Sequence, residues 1–378
     1  MCGDIMDIKK TNLDLEKGFI YFDSDIIKEL EDNVLNFIKS ETYLESEDFV
    51  KKVMLRREIK TNNSIEGIID DLSFINQVIE NRNTHQDNKR IINLYKGYQY
   101  ILRNKDINKN TLKELYAILS DGLLTEEDLN GMGDYYRSEP VYIYKTSRYD
   151  EVPYMGVSHN KLDYYMDKFF SYVNTNDDSI SKFIKSQIMH FYFVYIHPYF
   201  DVNGRCSRTV SMWYILNNQE YPFIIFNRAI SFERREYIEN IIKSREGDIT
   251  PFLKYMLVNV KREFEKEYII NNIVVNSSYK LSKEEFETLC YLLSLKGEMT
   301  IKDLATIYNF HNPHKSLKLI IEEKLKSLID KNIIILGRET NTFIYKGIRN
   351  RILEFNLNYL DIDTSKLDLL DTKRIIKK

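Results

Sequence analysis

The sequence predicts a mainly α-helical protein, and three observations carry that prediction. Glycine and proline number only 13 and 6 in 378 residues, against average usage of roughly 7% and 5%, so few turns are available. Apolar residues recur at helical spacing, as in Ile26, Ile27, Leu30, Val34, Leu35 and Ile38. Five of the six prolines lie between Pro140 and Pro251, so the two ends have few breaks. With 43% hydrophobic and 29% charged residues, the chain can bury a sizeable core and is neither disordered nor fibrous.

Element by element, helical spacing runs from about Phe22 to Leu55, from Asp71 to about Arg103, and from about Thr111 to Leu119. Val141-Tyr142-Ile143-Tyr144, the polar Lys145–Asp150 and Glu151-Val152-Pro153-Tyr154 read as a β-hairpin, the one strong strand signal in the first 270 residues. From Ser181 the chain becomes apolar on every face, through Met189, Phe191, Tyr192, Phe193, Val194, Tyr195 and Ile196, which marks a buried helix. It should stop at His197, because a residue before proline is biased out of the α region. A loop, Pro198 to Val202, leads into a second helix from Asn203 to about Leu216, and helices near Arg234–Lys243 and Thr250–Lys266 close the bundle. Beyond Leu281, helices over about Lys283–Leu295, Ile301–Tyr308 and Ser316–Lys331 precede strands Ile333–Leu336 and Thr342–Tyr345, joined by residues 337–341. Three helices and a hairpin form a winged-helix pattern, followed by a tail that docks as a helix or frays. The expected domains are therefore a helical region at 1–55, a core at 56–270, a winged-helix-like module at 278–348 and a tail at 349–378.

A formal net charge of −3 argues against a nucleic-acid coat or a polybasic membrane anchor. Cys2, Cys206 and Cys290 are too few and too far apart for a disulfide framework or a zinc quartet, as expected in a reducing cytosol. The start, MCGDIMDIKK, lacks the apolar core of a signal peptide, and no apolar run approaches the ~20 residues of a membrane span. A soluble, cytoplasmic protein with no membrane partner is expected.

There is no GxxxxGK[ST], no GxGxxG after a strand, no HExxH and no GxSxG. Chemistry concentrates instead in the twelve residues His197-Pro198-Tyr199-Phe200-Asp201-Val202-Asn203-Gly204-Arg205-Cys206-Ser207-Arg208. They span the junction of a buried helix with the next, whose N-terminus offers unpaired N–H groups and a positive dipole end to a phosphate. Gly204 lets the backbone approach closely, and Arg205 and Arg208, three apart, share a helix face and can reach anionic oxygens. Asp201 is a natural Mg²⁺ ligand, and His197 can take a proton at neutral pH. Together these parts point to phosphoryl or nucleotidyl transfer. Ordinary capping at a helix start is the competing explanation.

The segment resembles the signature of the Fic family, HPFx[D/E]GNGRxxR, matching at His197, Pro198, Asp201, Asn203, Gly204, Arg205 and Arg208. The apolar helix before it, the hairpin after Gly133-Asp134-Tyr135-Tyr136-Arg137, and Glu246–Phe252 are also similar to Fic domains, so the resemblance covers roughly residues 55 to 270. It implies an all-α Fic fold with a hairpin flap that aligns a target, transferring AMP from ATP to a hydroxyl side chain (Tyr, Thr or Ser) of a target protein. It further implies His197 as base, Asp201 on Mg²⁺, Asn203, Gly204 and Arg205 around the α- and β-phosphates, and Arg208 at the γ-phosphate. Tyr237 lies where the family often has a tyrosine near adenine, with Ile238 in place of a second one; core packing explains Tyr237 equally well.

Val202 stands where the family has glycine. A β-branched residue resists positive φ, so the substitution is expected to weaken or shift nucleotide binding, with Val202→Gly raising transfer. Lys60-Thr61-Asn62-Asn63-Ser64-Ile65-Glu66-Gly67 resembles the family's inhibitory motif [S/T]xxxE[G/N], with Asn62 replacing Ser/Thr. The implication is autoinhibition, with Glu66 paired to Arg208 where the γ-phosphate would go. A capping box of Asn63 and Glu66 is the alternative. His190 and Trp213 read as core, and Cys206 as a small packing residue.

Residues 278–348 carry 11 Lys/Arg and 9 Asp/Glu. Glu322 and Glu323 open the third helix where phosphate contacts would be needed, so dimerisation or target docking is at least as well supported as DNA. The sequence thus points to a protein adenylyltransferase acting on a protein target, with self-modification and a homodimer left open. Two alternatives remain: a de-AMPylating or other phosphate-group-transferring enzyme on the same core, and a DNA-binding regulator with a degenerate nucleotide-sensing core.

Overall fold

The computed structural model describes residues 7–40, 48–67, 72–80, 88–143, 154–177, 179–218, 226–231, 234–276, 281–292, 299–308, 320–345 and 348–356. Helices dominate, as expected, with three small antiparallel sheets among the described residues. The chain divides into two compact units, residues 1–33 with 54–257 and residues 34–53 with 258–378.

The first unit begins with an antiparallel hairpin of β1 (Ile8–Asp14) and β2 (Phe19–Asp23). This corrects the expectation of a helical N-terminal region and of a single strand signal. Gly18, at φ 96, supplies the turn, and Leu13, Leu15, Ile20 and Phe22 are buried. Helix α1 (Ser24–Ser40) and α2 (Asp48–Ile65) replace the single stretch expected from Phe22, and α3 (Leu72–Glu80) and α4 (Lys89–Arg103) replace the one expected from Asp71. Next come α5 (Lys109–Ser120), α6 (Glu126–Asn130) and the paired strands β3 (Tyr142–Ile143) and β4 (Tyr154–Met155). The connection between those strands, at 144–153, lies outside the described residues.

Helices α7 (Leu162–Asn174), α8 (Lys182–Ile196) and α9 (Asn203–Asn218) form the centre of this unit. Every residue of α8 from Phe183 to Ile196 except Val194 is buried, which is why its apolar residues show no amphipathic stripe. Even Lys185 is buried; its ammonium donates to the carbonyls of Val173 (3.0 Å) and Thr175, satisfying the C-terminal end of α7. Trp213 on α9 is fully buried and donates its indole N–H to the Asn104 carbonyl at 2.7 Å. Helices α10 (Phe226–Ser231), α11 (Arg234–Lys243) and the start of α12 (Thr250–Asn276) complete the unit.

In the second unit, α13 (Lys283–Leu292) and α14 (Ile301–Tyr308) fall where the sequence placed helices. The third is described from residue 320, as a π-helical turn at Ile321–Leu325 followed by α15 (Lys326–Asp330). Phe286, Leu289, Ile301, Leu304, Leu325, Leu328, Ile352 and Leu353 are buried here. The sheet differs from expectation. β6 is one strand, Ile334–Tyr345, paired with β7 (Ile348–Phe355), and β5 (Met299–Thr300) adds to the far side of β7. Gly337 is therefore not a turn residue. A Cβ there would collide with the Glu354 carboxylate, so glycine admits the neighbouring strand's side chain. Strand β7 occupies the start of the expected tail, and residues 357–378 lie outside the described residues.

Candidate active site at the junction of helices α8 and α9

Helix α8 ends at His197, which takes a left-handed conformation (φ 54, ψ 63) as the C-cap, its N–H bonded to the Phe193 carbonyl. The chain then turns back through five residues held from several sides. Tyr199 is buried and its ring stacks on Tyr116 at 3.5 Å. The Asn203 side chain closes the loop: its amide donates to the Tyr199 carbonyl (2.8 Å) and its oxygen accepts from the Tyr199 N–H (3.0 Å). Asn203 was expected to face phosphate; its side chain instead shapes the loop, leaving its backbone N–H at the helix start. Val202 adopts φ 68 and is buried, so valine holds the positive-φ geometry expected to need glycine.

His197 Nδ1–H donates to the Val194 carbonyl at 3.4 Å, leaving Nε2 as the acceptor. Desolvation pushes the imidazole down to about 4, with the cations of Arg137 and Arg245 adding to the shift, so the ring is neutral at pH 7. A cavity of about 230 Å³ opens beside it, lined by His197, Gly204, Arg208, Glu66, Arg234 and Arg245, with Tyr237, Ile238, Ile241 and Ile242 forming an apolar side. Ile143 and Tyr154, cross-strand partners on β3 and β4, line it too, whereas Tyr142 and Met155 turn outward to solvent.

Arg208 is buried and bonds to two residues of the α2 segment. Nε and Nη2 donate to Asn62 Oδ1 at 3.1 and 2.8 Å, and Nη2 also pairs with Glu66 Oε1. Burial alone would raise the Glu66 carboxyl, but Arg208, followed by Arg205 and Arg234, outweighs it and holds the group below the ordinary carboxylate range. Gly204 makes room for this pair: a Cβ there would sit 2.8 Å from Glu66 Oε1 and 3.0 Å from Arg208 Nη1. The capping-box alternative fails, because Asn63 lies in the last turn of α2 and Glu66 follows the helix end. The start of α9 thus already receives a carboxylate where a helix N-terminus favours an anion.

Arg205 is buried, with Nε and Nη1 lacking a partner among the described residues and Nη2 3.7 Å from Asp201 Oδ2. Asp201 is exposed, and its Oδ1 accepts from the Val202 N–H at 2.6 Å. No cluster of three or more metal-ligating side chains occurs among the described residues. A single exposed carboxylate suits Mg²⁺, which keeps waters and takes substrate phosphates rather than a protein cage. Tyr237 is buried and shares a 2.7 Å hydrogen bond with His190 Nε2, whose ring stacks on Phe252, so it is both a cavity wall and a core residue. Cys206 is buried and free, with its thiol pushed up by burial.

Two contributors were not singled out in the sequence. Arg137 is buried and fans onto three carbonyls, with Nε on His197 (2.9 Å), Nη1 on Glu139 (2.6 Å) and Nη2 on Val157 (2.5 Å). Its N–H donates to the Pro198 carbonyl. Arg245 stacks over Tyr154 and Tyr195 and donates to the Met155 carbonyl, tying β4 to the cavity. The only sequence hints were the run Gly133–Arg137, which ends at Arg137, and the run Glu246–Phe252, which follows Arg245.

Residues 106–215 match the family described as Fic/DOC family. The chain is 27% identical over 201 residues to "Protein adenylyltransferase Fic" of Aedes aegypti, covering 51% of this chain and 37% of that protein. It is 24% identical over 241 residues to the Nematostella vectensis protein of that name, covering 60% and 52%. The chain therefore spans between about a third and a half of the length of these two curated relatives. In fold it resembles a Fic family protein from Desulfovibrio desulfuricans G20 (TM-score 0.55, 18% identity, 86% of this chain and 95% of that one). A Fic domain containing signalling protein from Bacteroides thetaiotaomicron aligns at TM-score 0.51 and 16% identity, over 64% of this chain and 95% of that one. Residues 106–215, which hold the α8–α9 junction and its signature, carry the match to the Fic/DOC family.

Proposed function

We propose that this chain is a protein adenylyltransferase that moves AMP from ATP to a Tyr, Thr or Ser hydroxyl of a target protein and is restrained by Glu66. The observation that carries the reading is the Arg208–Glu66 pair over Gly204, in the cavity that His197 also lines. In the reaction the target hydroxyl attacks the α-phosphorus of ATP, His197 Nε2 takes the hydroxyl proton, and the bond to the β-phosphate oxygen breaks to release pyrophosphate. Arg208, freed of Glu66, meets the γ-phosphate, while Arg205, Gly204 and the first N–H groups of α9 bind the inner phosphates. Most of the rate comes from positioning and charge stabilisation. Asp201 would hold Mg²⁺, which neutralises phosphate charge when bound.

The apolar side formed by Ile238, Ile241, Ile242 and Tyr237 suits a nucleobase. The β3–β4 flap suits a target segment added as an extra strand. The module at 278–348 is read as winged-helix-like and as a docking or dimerising element; Glu322 and Glu323 are exposed there, which disfavours DNA. Autoinhibition by Glu66, self-modification and cytoplasmic location belong to this proposal. No helix among the described residues is long and apolar enough to cross a membrane.

The test is label transfer from [α-³²P]ATP and, separately, [γ-³²P]ATP, with Mg²⁺, to wild type, Glu66→Gly and Glu66→Gly/His197→Ala. Glu66→Gly should raise α-label incorporation at least tenfold over wild type, with no γ-label, and His197→Ala should abolish it. Transfer of the γ-label, or no gain on removing Glu66, overturns the proposal.

A further inference from the structure

Glu58 and Asn62 lie one turn apart on one face of helix α2, and Glu66 follows four residues later, just past the helix end. The first two are fully buried. Glu58 takes the Arg228 Nε on one oxygen and the Asn227 N–H on the other, each at 3.0 Å. The Asn227 side-chain amide donates to the Tyr98 hydroxyl at 3.1 Å, and that hydroxyl also accepts from Asn62 Nδ2 at 3.1 Å. The amide of Asn62 is thereby oriented with its oxygen towards Arg208, where it takes both Nε and Nη2. Two bonds to one acceptor fix the plane of the guanidinium, and they do so independently of Glu66.

We propose that Asn62 is the positioning residue that aims Arg208, so that α2 both orients this guanidinium and, four residues later, blocks it. The proposal rests on the adenylyltransferase reading above. A long arginine side chain loses rotamer entropy when it is ordered. With Asn62 in place that ordering precedes nucleotide binding, and Arg208 stays aimed after Glu66 leaves. A constraint on regulation follows. Swinging all of α2 away would remove the anchor of Arg208 along with its blocker. Only the segment past Asn62 is free to move productively. Glu66 already lies beyond the helix in a turn ending at Gly67, whose φ of 84 has open space around it.

The test uses the full chain in the Glu66→Gly background, comparing it with Glu66→Gly/Asn62→Ala and Glu66→Gly/Tyr98→Phe. Binding of ATP, ADP and AMP with Mg²⁺ is measured by calorimetry, and α-label transfer gives KM and kcat. Loss of Asn62 should raise Kd and KM for ATP about tenfold, as expected for a charge-assisted contact. Affinity for ADP and AMP, which lack the γ-phosphate, should stay within about twofold. Tyr98→Phe should shift ATP in the same direction by less, and it carries the test if Asn62→Ala does not fold. Unchanged ATP affinity, or an equal loss for all three nucleotides, overturns the positioning role while leaving the transfer reading intact. No transfer and no nucleotide binding by Glu66→Gly itself overturns both.

Discussion

Val202 holds a backbone conformation that valine resists, and the magnitudes decide what replacing it does. A left-handed conformation costs an L-residue about 1–2 kcal/mol. Burying a valine side chain contributes about 1.5–3 kcal/mol, and glycine adds roughly 0.5–1 kcal/mol of chain entropy to be lost on folding. The isopropyl group is almost fully buried at the loop's end, so burial outweighs strain. Val202→Gly should therefore lower stability by about 1 kcal/mol, checked by urea denaturation. Because φ is already 68, transfer in the Glu66→Gly background should stay within about threefold, in place of the gain expected from the sequence. His197 gives a pH prediction. The proposed transfer needs its base form, and its folded value lies near 4, so activity is present above that value and lost as pH falls through it. In Glu66→Gly, the His197-dependent limb of kcat/KM should lie below pH 5; a limb near pH 6.5 would show an ordinary, solvated imidazole. The signature was legible because its parts lie within twelve contiguous residues. Asn62 was read only as a departure from the motif, since its partners are Arg208, 146 residues away, and Tyr98.

Between elements, the decisive link is Arg137, which joins the end of α8 to the base of the β3–β4 flap. Its guanidinium satisfies the carbonyls of His197, Glu139 and Val157 at once. Next to it, Gly156 has room for no side chain, because a Cβ would lie 2.9 Å from Arg137 Nη2 and 3.1 Å from His197 Cβ. A lysine has no planar fork and cannot span three carbonyls. Arg137→Lys should thus leave buried acceptors unpaired and cost about 2–3 kcal/mol. Transfer should fall at least tenfold, because the same bond fixes the backbone of His197, the base of the proposed reaction. Full activity with a lowered melting temperature would show that Arg137 holds the flap without shaping the site. The N-terminal hairpin marks the limit of sequence reading at this scale. β1 presents Lys9, Lys10, Thr11 and Asn12 with one well-buried Leu13, and the helical pattern from Ile26 drew Phe22 into a helix. What fixes the hairpin is distant: Tyr192 donates to the Asp14 carbonyl, Tyr195 accepts from the Glu16 N–H, and Tyr21 exchanges bonds with Gly247 and Ile249.

At the scale of the whole molecule, the chain holds two compact units, and the candidate site belongs entirely to one of them. The sequence showed the change of character near residue 281 but not that residues 34–53 join the C-terminal unit, because partition is set by packing rather than by composition. This partition makes Trp213 a selective reporter. It is the single tryptophan, it is fully buried on α9, and its indole N–H is bonded to Asn104, so its emission follows the unit that contains the α8–α9 junction. Far-UV circular dichroism follows the helices of both. A ligand stabilises the state that binds it by RT ln(1 + [L]/Kd), about 2.7 kcal/mol at a hundredfold excess over Kd. Saturating Mg-ATP added to Glu66→Gly should therefore raise the Trp213 unfolding midpoint. The part of the dichroism transition that Trp213 does not track should stay where it was. Wild type, with Glu66 on Arg208, should show a smaller shift at the same nucleotide concentration, since in the proposed reaction the γ-phosphate and the carboxylate compete for one guanidinium. Equal shifts in wild type and variant would mean that the carboxylate and the nucleotide do not compete, and the site would have to be redrawn away from Arg208.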